Sequence, residues 1–310
     1  MRWSKKGLIY APNGESSWAK FGALTPTPYL IAPDILRVYA SFRDEAGIGR
    51  IGYVDLDSKD PMRILSVSND PVLDIGRPGC FDDNGVILGD IVELNDTLRM
   101  YYVGFQLVEK VKFLAFTGLA ISTDGGCHFE RYQPTPVVDR APEGLYFRAI
   151  HSITYDTNRW TAWYGVGSEF EIIGGQLFPR YTVHRMDSPD GLHFPAAGLR
   201  ALEWTNDEYR LGRPRVMKRD GNYEMFYTIG TTRKTYLPGY ATSRDGLRWR
   251  RRDAEIGLAP SPNGWDSLHV SYLAPITVNN ATYGFYNGNN MGATGFGLAI
   301  LEEGDDDGRR

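Results

Sequence analysis

The sequence predicts an all-β chain folded as a single five-bladed β-propeller with four-stranded antiparallel blades. Three observations carry that expectation. A short aromatic strand recurs five times at a period that fills the chain. A Ser-x-Asp-Gly hairpin follows it in three of the five copies. Gly (35) and Pro (18) together make up about 17% of the 310 residues, against about 12% in an average protein, and aromatics reach 13%. That composition builds turns and pleated strands rather than helices.

The strand repeat covers 36–40, 98–102, 160–164, 223–227 and 282–286, with Tyr39, Tyr101, Trp163, Phe226 and Phe285 equivalent. The spacings are 62, 62, 63 and 59, and one fifth of 310 is 62, so no room is left for a second domain. The hairpins are Ser122-Thr123-Asp124-Gly125, Ser188-Pro189-Asp190-Gly191 and Ser243-Arg244-Asp245-Gly246. Asp and Gly supply the turn, and Phe129, Phe194 or Trp249 opens the outer strand. The first and fifth copies keep only the strand, at 51–55 and 295–299. Helix competes poorly. The longest stretch without Gly or Pro, Leu145 to Tyr164, holds two β-rich runs around Asp156-Thr157-Asn158-Arg159 and no 3.6-residue period. A β-sandwich is the alternative fold, but it does not explain a full-length period. The last copy lacks an outer strand, and Trp3 to Tyr10 is placed to supply it, closing the ring and removing two exposed edges. The domain expectation is one propeller over 1–301 and a flexible tail over 302–310.

A net charge of −4 argues against a general nucleic-acid binder, which would carry a basic stripe. Two cysteines, Cys80 and Cys127, cannot build a disulfide framework. No 18-residue apolar run predicts a membrane span, and Met1 to Gly7 lacks the apolar run of a signal peptide, so a cytoplasmic location is expected. No phosphate-cradling glycine loop or nucleophile elbow is present, and no cofactor is expected.

The order of aromatic strand and Ala-x-Ser-x-Asp-Gly-x-x-Trp/Phe resembles the five-bladed propeller glycosidases over about residues 20 to 300. These are the arabinanase, levansucrase and invertase group, near glycoside hydrolase families 43, 32 and 130. The chain also resembles a propeller family found beside bacterial surface-polysaccharide genes. Phe81-Asp82-Asp83-Asn84-Gly85-Val86, Gly212-Arg213-Pro214 and Tyr286-Asn287-Gly288-Asn289 carry that likeness. The resemblance implies that the innermost strand of each blade lines a central funnel holding a carbohydrate or sugar conjugate. It also implies that carboxylates act there as nucleophile or base and as acid. A pair about 5–5.5 Å apart suits retention, and about 6.5–9.5 Å suits inversion.

Funnel candidates follow blade by blade. In blade one the Asp usual in the glycosidases is replaced by Thr25 or Thr27, with Glu15 or Asp44 as loop substitutes. In blade two Asp82 and Asp83 suit either an ordinary loop or a site in which one side chain enters the funnel and the other caps backbone amides. Asp83, nearer the strand, is assigned to catalysis and Asp82 to binding. In blade three strand alternation sets Arg148, Ile150 and Ser152 on one face and Ala149, His151 and Ile153 on the other. Arg148 is a binding candidate, and His151 suits a core histidine as well as a proton shuttle or ligand contact. In blade four the resemblance makes Glu208 the general acid. Arg210 and Arg213 beside it would lower its pKa, where an acid needs it raised. They suit an anionic group on the ligand instead. In blade five Asp266 is assigned to catalysis, and His269 and Asn287 to the sugar. His151 and His269 lack short ligand spacing, and no metal is expected. Three functions fit. The first is a glycoside hydrolase or transglycosidase working through Asp83, Glu208 and Asp266. The second is a non-hydrolytic sugar-binding or accessory protein of polysaccharide biosynthesis. The third is an enzyme acting on an anionic or nucleotide-linked sugar.

Overall fold

The computed structural model describes residues 1–233 and 235–302, and their regular structure is almost wholly β. The strands are β1 (Trp3–Tyr10), β2 (Phe21–Ala32), β3 (Ile35–Arg43), β4 (Gly49–Asp57), β5 (Ile64–Val67), β6 (Val86–Leu94), β7 (Thr97–Gln106), β8 (Leu114–Ser122), β9 (Glu130–Arg131) and β10 (Phe147–Asp156). They continue with β11 (Arg159–Ile173), β12 (Gln176–Ser188), β13 (Leu199–Arg200), β14 (Glu208–Arg219), β15 (Asn222–Thr231), β16 (Tyr236–Ser243), β17 (Arg250–Arg251), β18 (Ser271–Val278), β19 (Ala281–Asn287) and β20 (Phe296–Leu301).

The strands hydrogen-bond into sheets of 4, 12 and 4 strands, not into five separate sheets. The 12-stranded sheet holds three antiparallel runs, β6–β9, β10–β13 and β14–β17. Only two residue pairs join β8 to β10 in parallel, and only Tyr181↔Arg210 joins β12 to β14. The N-terminal β1 pairs antiparallel with the last strand, β20, which is the closure expected of Trp3 to Tyr10. Residue 302 belongs to that closure: its amide donates to the Arg2 carbonyl, and its carboxylate pairs with the Arg2 guanidinium at 2.7 Å. The expected tail therefore starts no earlier than 303, and 303–310 lie outside the described residues.

The repeat has a packing cause. Tyr39, Tyr101, Trp163, Phe226 and Phe285 all sit on the second strand of their run, each at most 1% exposed. Each enters a different apolar layer. Tyr39 meets Val86 and Met100 of the second run, and Tyr101 meets Ile150 and Trp160 of the third. Trp163 meets Met225 and Tyr227, Phe226 meets Leu273 and Tyr286, and Phe285 meets Leu36 and Val38 of the first run. Burial of this kind, worth roughly 1.5–3 kcal/mol per large side chain, binds each run to the next and the last to the first. The Ser-x-Asp-Gly turns lock the same joints. The Tyr39 hydroxyl donates to the Gly126 carbonyl at 3.0 Å and the Tyr101 hydroxyl to the Gly191 carbonyl at 2.9 Å.

One device recurs on the first strand of every run. The register against the second strand slips between Leu24 and Thr27, Leu88 and Asp90, Ile150 and Ser152, Gly212 and Arg215, and Ser271 and Ala274. The skipped positions include Thr25, Gly89, His151, Arg213 and Tyr272, spaced 64, 62, 62 and 59 residues apart, close to the aromatic repeat. Thr25, Arg213 and Tyr272 adopt φ of 55°, 53° and 57°. A side chain there costs roughly 1–2 kcal/mol, and a bulge re-aims it out of the pleat. The simple alternation expected over 148–153 is therefore broken at His151.

Candidate functional site

The bulges converge on a cavity of about 590 Å³, a size that suits a small ligand. Thr25, His151, Arg213 and Tyr272 all line it. So do the cations Arg43, Lys112 and Arg210 and the tyrosines Tyr181 and Tyr236. Among its described lining residues there is no Asp or Glu.

Arg213 is the innermost cation, 3% exposed. Its Nη1 donates to the Leu88 carbonyl and to His151 Nδ1 at 3.2 Å. Its Nη2 donates to the Thr25 carbonyl at 3.2 Å and to Thr27 Oγ1 at 2.7 Å. The guanidinium thus ties four first strands together, and among the described residues it pairs with no carboxylate and its buried Nε has no hydrogen-bond partner. Burial, reinforced by Arg215, pushes its pKa down to about 9, so it stays charged at neutral pH. The nearby Asp90 is consumed by Arg215 at 2.6 Å and by the amides of Ile91 and Ile153. His151, 5% exposed, is held neutral: burial lowers its pKa well below the usual value, and Arg213 and Arg215 add to the shift. Because its Nδ1 accepts from a guanidinium, its proton sits on Nε2.

Arg210 lines the same cavity. Its Nε donates to the Pro179 carbonyl at 3.0 Å and its Nη1 to the Tyr236 hydroxyl. Its guanidinium lies 4.8 Å from the Tyr209 ring centroid, a cation–π distance. Strand parity alone would set Arg210 and Arg213 on opposite faces, and the slip between Gly212 and Arg215 brings both to one cavity. Arg43 and Lys112 complete the cationic lining without a side-chain hydrogen bond or ion pair among the described residues. The remaining wall is apolar, with Ile48, Ile87, Phe105, Leu107, Phe113 and Met291.

Of the residues expected at the site, His151, Arg210 and Arg213 line this cavity, and the others do not. Asp83 accepts the Gly79 amide at 2.8 Å, so it is the backbone-capping member of its pair. Asp82 is fully buried on the Tyr102 hydroxyl at 3.0 Å and Arg131 Nε at 2.7 Å, and the cavity takes Asn84 instead. Glu208 grips Arg251 in a bidentate pair at 2.7 and 2.6 Å, turned away from the arginines beside it in sequence. Asp266 is 2% exposed. Burial works to raise its pKa, but hydrogen bonds from Lys5 at 2.6 Å, from Ser261 and from Tyr286 at 3.0 Å leave it below the usual carboxylate range. The expected catalytic trio Asp83, Glu208 and Asp266 is thus not gathered at this cavity. Arg148 is spent between runs on Glu143 at 3.0 Å and on the carbonyls of Asp139 and Pro195. His269 stacks edge-on behind Tyr236 at 5.7 Å, with Nδ1 accepting the Asn290 amide. Asn287 clasps the ring closure, bonding the Ala23 and Gly295 carbonyls and the Thr25 amide at 2.7–2.8 Å. It positions Thr25 and does not line the cavity. No three His, Cys, Asp or Glu residues come together as a metal site would need among the described residues.

With this geometry in view, the relatives become informative. No protein-family model matches the chain. It is 34% identical over 304 residues to the uncharacterized protein Rv1502 of Mycobacterium tuberculosis (strain ATCC 25618 / H37Rv), covering 97% of this chain and 100% of that protein. The chain belongs to the Rv1502 family. The uncharacterized protein MT1551 of strain CDC 1551 / Oshkosh matches this family member equally well. Solved structures add the fold. A glycoside hydrolase superposes with a TM-score of 0.75 at 19% identity, covering 99% of this chain and 94% of its own. A thermostable family-43 glycoside hydrolase gives 0.70 at 16%, covering 96% and 94%. A member of the family-130 mannoside phosphorylases, described as containing glycoside hydrolases that target β-1,2 mannosidic linkages in Candida mannan, gives 0.70 at 12%, covering 97% and 93%. The fold of this Rv1502 relative is therefore that of the glycosidase propellers. At these identities the likeness is one of fold alone.

Tyr181, Tyr236, Tyr272, Arg43 and Lys112 escaped the sequence reading. Tyr272 had a usable signal, since it lies 59 residues beyond Arg213, in step with the last aromatic interval. Arg43 and Tyr181 come from second and third strands whose ends reach the cavity only through run-to-run geometry.

Proposed function

We propose that this protein binds an anionic carbohydrate in the central cavity, gripping its carboxylate or phosphate with Arg210, Arg213 and Arg43. One observation carries the reading: the cavity gathers four cations and a neutral histidine, with no carboxylate among its described lining residues. A buried guanidinium without a countercharge is costly, and an anion offsets that cost through charge-assisted hydrogen bonds. Tyr181, Tyr236 and Tyr272 supply stacking faces and hydroxyls for the sugar. Glycoside hydrolysis by paired carboxylates needs two acids flanking one bond. Here Thr25 stands at the cavity, and Asp83, Glu208 and Asp266 are engaged elsewhere. The reading is therefore a non-hydrolytic or differently catalysed member of a glycosidase fold.

The same proposal takes the five antiparallel runs as five blades of one propeller over 1–301, with the cavity as its funnel. A cytoplasmic setting and a part in handling polysaccharide or its sugar-conjugate precursors belong to it. Calorimetric titration with glucose 1-phosphate, glucuronate and glucose tests it. Saturable binding of either anion, with glucose at least tenfold weaker and no product after long incubation, is expected. Equal binding of glucose and both anions would overturn it.

A further inference from the structure

We infer that the anionic ligand is amphiphilic: a sugar or sugar phosphate carried on an aliphatic chain, with the chain lying along the apolar wall. This rests on the anionic-ligand reading above and adds what the apolar part of the lining recognises.

The lining mixes two chemistries. Arg210, Arg213, His151 and the three tyrosines offer charge and hydroxyls. Ile48, Ile87, Phe105, Leu107, Phe113 and Met291 offer apolar surface, with Lys112 next to Phe113 in sequence and Arg43 on the strand that pairs with Gly49. Phe105 and Phe113 pack edge to face at 5.4 Å, so that wall is a built surface. A sugar hydroxyl laid against it loses water without gaining a partner, which is unfavourable. A methylene chain loses nothing there, and each buried methylene favours binding. Aromatic faces alone serve the apolar face of a sugar, but branched aliphatic Ile and Leu beside Met suit an alkyl chain. The wall also has an exit. Leu107 is 64% exposed and the adjoining Val108 38%, so the apolar surface runs from the cavity out to solvent. A chain anchored by its anionic head at Arg213 would leave the cavity over Leu107.

The test is calorimetric titration of the full chain with two matched pairs below their aggregation concentrations, ethyl and octyl phosphate, and methyl and octyl β-glucuronide. Octyl β-glucoside serves as the neutral control. In at least one pair the octyl compound is expected to bind at least tenfold tighter than its short partner, and at least tenfold tighter than octyl glucoside. The pair that binds identifies phosphate or carboxylate as the head group. Leu107→Ser with Phe113→Ser should shrink the octyl advantage over the short anion to under threefold. Leu107→Ser alone, at an exposed position, provides the same reading in smaller measure if the double variant fails to fold. Equal affinity for short and octyl anions would overturn the amphiphile and leave the anion site standing. Octyl glucoside binding as tightly as the octyl anions would overturn it as mere chain adsorption. No binding of any anion would overturn both readings.

Discussion

Arg213 donates from Nη1 to Nδ1 of His151 across 3.2 Å, so a buried cation is bonded to a buried neutral imidazole. Protonating His151 would place two positive groups in contact, with Arg215 donating to the His151 carbonyl and Asp90 hydrogen-bonded to Arg215. Burial, Arg213 and Arg215 all lower the folded-state pKa of His151. A depressed folded pKa contributes stability that is fully present above the unfolded value, about 6.5, and is lost as pH falls below it. The free energy of unfolding should therefore lose about 1.4 kcal/mol per pH unit from this group below pH 6.5. Denaturant titrations from pH 8 to 5 check this, and His151→Asn should flatten the slope by one proton.

Arg43 and Arg213 should respond differently to removal. The Arg43 side chain has no hydrogen bond or ion pair among the described residues, so Arg43→Gln should leave the melting temperature unchanged and weaken anion binding about tenfold, the scale of one charge-assisted hydrogen bond. Arg213→Met strips donors from Leu88, Thr25, Thr27 and His151 and should cost several kcal/mol of stability as well as affinity. Thermal unfolding beside calorimetry separates the two.

Glu208 should act through the fold. Its bidentate pair with Arg251 is largely buried, with side chains 9% and 17% exposed. Glu208→Gln removes one of two carboxylates on that guanidinium, leaving Asp253 at 2.8 Å, and the expected cost is about 2 kcal/mol. Anion affinity should stay within twofold of wild type. A stable variant with lost affinity would return Glu208 to the site.

Much of the architecture was legible because it is repetitive. The interval between Tyr39, Tyr101, Trp163, Phe226 and Phe285 reports packing that every run must satisfy, and each of these side chains proved to be a joint between runs. Even the closing strand, Trp3–Tyr10, followed from counting strands. The site was legible only in part because its geometry depends on departures from regular pairing. Period-two reasoning separates Arg210 from Arg213, and only a bulge with a left-handed Arg213 reunites them. Acidity was a poor guide for the same reason. Asp82, Glu208 and Asp266 looked chemical in sequence, but each is matched to a cation from a distant segment, Arg131, Arg251 or Lys5.

The turn glycines provide an independent check on run-to-run locking. At Gly191, with φ of 72°, a Cβ would stand 2.5 Å from the Tyr101 hydroxyl and 2.9 Å from the Trp160 ring. Gly191→Ala should destabilise the chain by about 2–4 kcal/mol through strain and overpacking. Tyr101→Phe in that background should recover part of the loss, since it removes the clashing oxygen, and a double-mutant cycle from thermal unfolding measures the coupling.

A crystal structure of the chain with glucose 1-phosphate tests whether cations, rather than paired carboxylates, define the ligand site. Phosphate oxygens are expected within hydrogen-bond reach of the Arg210 and Arg213 guanidinium groups, with the sugar ring against Tyr181, Tyr236 or Tyr272. A sugar bound instead between two Asp or Glu carboxylates, with its phosphate away from both arginines, would contradict a cation-defined site.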